Sequence, residues 1–166
     1  MGLQTILIKQ DQLTRNTIIG GNVDPDRYLQ AIKACQNLLI KPLLGKTLYD
    51  KIVSDFESNS LTGLYAELFN DYVTGMIVHG AAEIYLSQGA YMVTNNGITK
   101  GKADNADSVT KEEVDYLVEA SRKLYRLYEE QFLIWIKINT IPEYDKPCGV
   151  KHKTYGGWLI KKGRNC

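Results

Sequence analysis

TKEEVDYLVEASRKLYRLYEEQFLIWIKINTIP, residues 110–142, reads as one helix from its cap to its stop. Thr110-Lys111-Glu112-Glu113 forms a capping box, in which Thr110 and Glu113 each satisfy an amide that the first turn leaves without a partner. Val114, Leu117, Val118, Ser121, Leu124, Tyr125, Tyr128, Phe132, Trp135 and Ile136 then recur at intervals of three and four. That spacing is one face of a helix. Lys111, Glu112, Asp115, Glu119, Arg122, Lys123, Arg126, Glu129 and Glu130 fill the other face. Pro142, which has no amide hydrogen, closes the pattern. An amphipathic helix of this length needs other helices to cover its apolar stripe.

The covering elements lie upstream. A third helix runs from about Leu64 to about Gln88, and its apolar residues wrap most of the circumference: Leu64, Leu68, Tyr72 and Met76 on one row, Val73, Ile77, Ala81 and Ile84 on another. A helix apolar nearly all round is central to a bundle or shared with a neighbouring subunit. Gly75, Gly80, Ala81 and Ala82 allow a second helix to come close, within the chain or from another copy. A first helix opens at Asp24-Pro25-Asp26, with Asp24 as the cap and Pro25 in the first helical position. Tyr28, Leu29, Ile32, Cys35, Gln36, Leu39 and Ile40 form its stripe, and Pro42 is expected to interrupt it. Thr47 is expected to cap a second helix whose buried face is Leu48, Tyr49, Ile52, Val53 and Phe56. Glu57–Gly63 reads as a loop, and Thr5–Lys9 (TILIK) as a short extended segment.

Residues 89–109 are a long insertion between helices. Met92-Val93-Thr94, Asn95-Asn96-Gly97 and Ile98-Thr99 read as a β-hairpin, because Asn-Gly accepts the positive φ angles of a tight type I′ turn. A lone two-stranded hairpin is barely stable in water, so it needs something to pair with. The expected fold is mainly all-α: an antiparallel bundle of about four helices over residues 1–145, a protruding hairpin near 89–109, and an extended C-terminal arm over 146–166.

The 166 residues, 18.7 kDa, suit one domain. A hydrophobic share of 44% permits a true core, and 23% charged residues with a mean hydropathy of −0.26 exclude a mainly disordered or membrane-embedded chain. No apolar run reaches membrane-spanning length, and MGLQTILIKQ lacks the features of a signal peptide. Three widely spaced cysteines, Cys35, Cys148 and Cys166, suit free thiols in a reducing compartment. The expectation is a soluble protein made inside the cell.

The net charge of +1 hides an asymmetry: residues 146–166 carry +6 with no acid, and residues 1–145 carry −5. Lys151, Lys153, Lys161 and Lys162 flank Tyr155, Trp158, Leu159 and Ile160 in this arm. Such a segment can dock on its own acidic body, on a partner protein or on nucleic acid. Partner docking fits best, since an aperiodic cluster of aromatic and aliphatic side chains does not easily bury itself. A small nucleic-acid-binding module using the arm is the alternative function, although only two aromatics could stack on bases.

Catalytic chemistry has no foothold. The phosphate-loop, dinucleotide, zinc-protease, nucleophile-elbow and paired-cysteine motifs are all absent from the sequence. His79 sits in the most apolar helix and reads as a packed residue rather than a base. Cys148 and His152 lack two further ligands for a metal, and Cys35 lies on an apolar stripe. No catalytic, cofactor-binding or metal-binding residue is assigned, and the chain is not expected to be an enzyme.

GGNVDPDRYLQAIKACQNLLIKPLLGKTLYDKI, Gly20 to Ile52, resembles the start of the head–tail connector proteins of tailed phages. The resemblance rests on Asp24 leading a helix, on Ala31 and Ala34, and on Pro42-Leu43-Leu44-Gly45 running into Leu48-Tyr49-Asp50. YMVTNNGITKG followed by the helix at Thr110 is similar to the family as well, so the layout is shared over residues 5–140. The resemblance implies a structural virion protein at the neck, assembled in the host cytoplasm. It forms a ring of typically twelve copies between the portal protein and the tail proteins, with DNA passing through unread and no membrane involved. Under that reading Met92, Val93, Asn96, Gly97 and Ile98 form one half of a subunit contact. Lys151, Lys153, Tyr155, Trp158, Ile160, Lys161 and Lys162 anchor another, with the aromatics at its centre and the charges at its rim.

Overall fold

The computed structural model describes residues 5–20, 25–89, 91–94, 97–100, 110–144, 154–155 and 158–159, and it is mainly α-helical. The helices are α1 (Gln10–Asn16), α2 (Pro25–Cys35), α3 (Lys41–Leu44), α4 (Lys46–Glu57), α5 (Gly63–Glu67), α6 (Thr74–Gly89) and α7 (Lys111–Ile138). Two wider π-helical segments join neighbours: Gln36–Ile40 links α2 to α3, and Leu68–Val73 links α5 to α6. Strands β1 (Tyr91–Thr94) and β2 (Gly97–Lys100) pair antiparallel, as do β3 (Thr154–Tyr155) and β4 (Trp158–Leu159). The Asp24 cap and the Asn95-Asn96 turn lie outside the described residues.

Helix α6 is the hub and packs against α7, α2 and α1. Met76, Ile77, Val78, Ala81 and Ala82 are all buried, which explains its lack of a polar face. Two glycines set how near its neighbours come. A Cβ on Gly75 would sit 2.6 Å from the Tyr128 ring, and one on Gly80 would sit 2.7 Å from Cys35 Sγ and 3.1 Å from Tyr125. The small-residue stripe of α6 is therefore occupied by α2 and α7 of the same chain.

Helix α7 begins as its sequence requires. The Thr110 amide donates to Glu113 Oε2 at 2.8 Å, and the Glu113 amide donates to Thr110 Oγ1 at 3.3 Å. It ends at Ile138, ahead of Pro142, with Asn139 extended at φ −100°. Polar ties fix its face. Arg122 bonds Glu83 of α6 and Glu119 at 2.8 Å each, and Trp135 Nε1 donates to Glu67 Oε1 at 2.6 Å. The Tyr65 hydroxyl donates to Glu143 at 2.5 Å, which draws the segment after α7 onto α5.

Four expectations need correction. Pro42 does not interrupt the helix begun at Pro25. The Gln36–Ile40 segment widens the turn so that the Lys41 amide reaches the Gln36 carbonyl, and the helix continues to Leu44. The stop is Gly45, at φ 77°, a conformation that glycine adopts freely. Thr47 is not a cap, because Gly45 holds that place and Thr47 lies within α4. Thr5–Lys9 forms no strand, and a helix that its single apolar residue Leu13 did not announce, α1, follows it directly. Leu124, placed on the stripe that other helices cover, is exposed, as is Leu64 at the start of the third helix.

The Thr5–Lys9 segment is held instead by a side chain. Gln36, fully buried, accepts from the Leu7 amide at 3.1 Å and donates to the Thr5 carbonyl at 3.0 Å and to the Tyr49 hydroxyl at 3.1 Å. Its amide thus stands in for the neighbouring strand that the backbone lacks, and Leu7 and Ile8 drop into the core.

Candidate interaction surfaces

The interface residues expected from the sequence fall in two places. Met92 and Val93 lie in β1, and Gly97 and Ile98 in β2; the register pairs Val93 with Ile98, Met92 with Thr99 and Thr94 with Gly97. Tyr155 and Trp158 pair with each other across β3 and β4. Asn96, Lys151, Lys153, Ile160, Lys161 and Lys162 lie outside the described residues. Each ladder has two strands, with no third among the described residues. An open strand edge presents amides and carbonyls that another chain can pair with.

A third surface escaped the sequence reading. Along α7, Tyr116 is 74% exposed, Leu124 43%, Leu127 49%, Ile134 58% and Ile138 77%. With Ala120 and Gln131 between them, these residues form a second stripe about 120° round the helix from the buried one. Among the described residues the other exposed large apolar side chains, Ile18, Leu38 and Leu64, lie in separate parts of the chain and form no such row. The signal was present in the spacing of residues 120, 124, 127, 131, 134 and 138. It merged with the core stripe because both recur at three and four.

Burial, with a smaller push from Glu83, raises the Cys35 thiol to about 12, so it stays protonated at neutral pH. Among the described residues no group of three His, Cys, Asp or Glu could hold a metal ion. An open cleft of about 630 Å³ under the end of α7 is lined by Leu133, Ile136, Ile141 and Tyr144, with Lys137 as the one charged group among the described residues. Cys148 and His152 lie outside the described residues.

His79 is half-buried and stacks on Tyr128 with ring centroids 5.7 Å apart. Burial lowers its pKa below the ordinary 6.5. An unfolded histidine therefore takes up a proton before the folded one as the pH falls. Its contribution to stability is complete above pH 6.5 and is lost on acidification through the depressed folded value. The melting temperature should fall between pH 7 and pH 5, and His79→Gln should flatten that part of the curve in thermal melts. An unchanged slope would place the titrating group elsewhere.

Taken together, the described residues form a mainly helical protein with two two-stranded ladders and an exposed apolar stripe along α7. Among the described residues no helix is long and apolar enough to cross a membrane. The chain belongs to the family of unknown function DUF6712, whose pattern matches residues 40–154. That match begins at the last residue of the first π-helical segment and takes in α3 to α7 with the second π-helical segment, the β1–β2 ladder and the first residue of β3. No curated protein and no solved structure matches the chain.

Proposed function

We propose that the protein is a structural virion component, a head–tail connector that forms a ring between the portal and the tail of a tailed phage. In this reading the helices make an antiparallel bundle, the β1–β2 hairpin projects from it, and the basic arm reaches a neighbour. The observation that carries the proposal is the β1–β2 ladder, which has two strands and no third among the described residues. Two strands alone are marginally stable, and their free edges suit completion by another copy. A contact in which one copy offers a surface and the next receives it elsewhere generates a ring when the rotation closes. The charge contrast between the body at −5 and the arm at +6 supports contacts of the arm with an acidic neighbour. The role is one of assembly at the neck of the virion and requires no catalysis.

Native mass spectrometry of the full chain, alone and with a portal protein, tests this. The expected result is a closed ring of about twelve copies that joins portal-containing particles. Replacing residues 91–100 by a short flexible linker should abolish the ring while the helical circular dichroism persists. Trp158→Ala should weaken docking to the ring's neighbours without lowering the melting temperature. A chain that never exceeds two copies and never joins portal particles would overturn the reading. So would salt-dependent DNA binding that vanishes on removal of residues 146–166 in the absence of any ring, which would favour a nucleic-acid module.

A further inference from the structure

We infer that the exposed apolar stripe of α7 is a docking surface for a second copy of this chain, joined antiparallel about a two-fold axis. This goes beyond the connector reading, because a two-fold contact closes on itself and cannot by itself build a ring.

The spacing comes first. Ala120, Leu124, Leu127, Gln131, Ile134 and Ile138 alternate steps of four and three, the seam of a left-handed helix pair. With Tyr116 at its start the stripe runs about 33 Å along α7. Single exposed apolar residues need no explanation, but four in one seam on one helix, with Tyr116 exposed beside its start, do.

The flanks then identify the occupant. On one side of the seam Ser121, Tyr128 and Trp135 turn into the chain's own core, where Ser121 and Trp135 are buried and Tyr128 packs against it. On the other side, seven residues apart, stand Tyr116, Lys123, Glu130 and Lys137, all exposed. Read in reverse, this row becomes Lys137, Glu130, Lys123, Tyr116. Antiparallel pairing that sets Leu124 against the second copy's Leu127 therefore places Lys123 against Glu130 and Glu130 against Lys123. Each Tyr116 ring meets a Lys137 ammonium, a cation over an aromatic face. Ala120 comes opposite Gln131 and leaves room for its longer side chain, and Leu117 comes opposite Ile134.

Other arrangements lose this match. Moving the antiparallel pair by one heptad sets Glu130 against Glu130 and Lys123 against Lys137, which repel. A parallel pair places Gln131 against Gln131 and turns the charged flank toward the uncharged row of Ser121, Tyr128 and Trp135. Between Tyr116 and Lys137 the row of α7 is complementary to itself in one register, and that is the property of a surface shared by two identical chains.

Sedimentation equilibrium of the full chain over a wide concentration range is the test. A two-copy species is expected. Leu127→Glu should weaken it by about a hundredfold or more, since a charge then enters the seam from both copies. Lys123→Glu and Glu130→Lys should each weaken it by about five- to tenfold, and the two together on one chain should restore it. All three positions are exposed, so circular dichroism should report an unchanged fold. If Leu127→Glu did impair folding, the charge exchange would still decide the matter. A monomer at every concentration, association indifferent to Leu127→Glu, or a double exchange weaker than both singles would overturn the inference. Rings that persist beside an insensitive Leu127→Glu would remove this contact and leave the connector reading intact. Two-copy species that never form rings would do the reverse.

Discussion

Gln36→Met should lower the unfolding free energy by about 3–4 kcal/mol and free the first described residues before the rest of the fold melts. Methionine matches the glutamine in length and keeps the cavity filled, so the loss is one of hydrogen bonds. Three buried or partly buried groups lose their partner at once: the Leu7 amide, the Thr5 carbonyl and the Tyr49 hydroxyl. Each such group costs about 1–3 kcal/mol when left unsatisfied. The sum is limited by an escape route, since the segment can peel away and recover water at the cost of exposing Leu7 and Ile8. Hydrogen exchange should therefore show the Leu7 amide unprotected while the amides of α6 stay protected. A carboxylate at the same position gives a second signature. Gln36→Glu can accept from the Leu7 amide but cannot donate to the Thr5 carbonyl unless it is protonated, and burial raises its pKa. Its stabilising, protonated form is fully present below the ordinary glutamate value and is lost as the pH rises through the raised one. This variant should be more stable at pH 4.5 than at pH 7, against the trend expected from His79. Equal stability of Gln36→Met and the parent would mean that the three bonds do not hold the segment.

Gly80→Ala should destabilise by about 1–2 kcal/mol, although the same change on an exposed helix stabilises by about 1 kcal/mol. The reason is the crowding on both sides of α6. The new methyl would lie 2.7 Å from Cys35 Sγ, 3.1 Å from Tyr125 and 3.2 Å from Leu39, so α2 and α7 cannot both keep their distance. Cys35 is fully buried and has one torsion with which to retreat. Cys35→Ala in the same chain removes the sulfur from the tightest contact. The pair should then be more stable than the sum of the two separate losses, by a coupling of about 1 kcal/mol in urea denaturation. Gly75→Ala is the milder comparison: its 2.6 Å neighbour is the ring of Tyr128, which is half-buried and can swing outward. A higher melting temperature for Gly80→Ala would show that α2 and α6 stand farther apart than described.

What could be read in the chain depends on how local its cause is. Helix α7 was legible because Thr110, Glu113 and the apolar spacing act within a few residues of one another. The apolar girth of α6 was legible for the same reason, as were the glycines that admit its neighbours. The Thr5–Lys9 segment was not, because the group that orders it is 29 residues away from Leu7. Pro42 misled because the rule that proline breaks a helix assumes an ordinary turn on its N-terminal side. The outer stripe of α7 stayed hidden because periodicity gives faces without saying which one the fold covers. Leu124 obeys the spacing of both, and only the packing of α6 assigns it to the outside. At the ladders, composition pointed to Met92–Thr99 and to Tyr155 and Trp158, and the register adds which backbones face each other.

The widened turn at Gln36–Ile40 works as a vernier. Ile32, Gln36, Ile40 and Leu44 follow one another in steps of four, and all are buried. In an ordinary helix each such step overshoots a full circle by ~40°, so Leu44 would have wandered about a third of the way round from Ile32. The wider turn holds more residues per revolution and cancels most of that drift. One rod can then present a single uninterrupted keel to α6 at its head and to α4 at its foot. Deleting one residue from the widened turn would return it to an ordinary helix and leave Leu44 within ~20° of the Ile32 face, so the wider turn is what absorbs the extra residue.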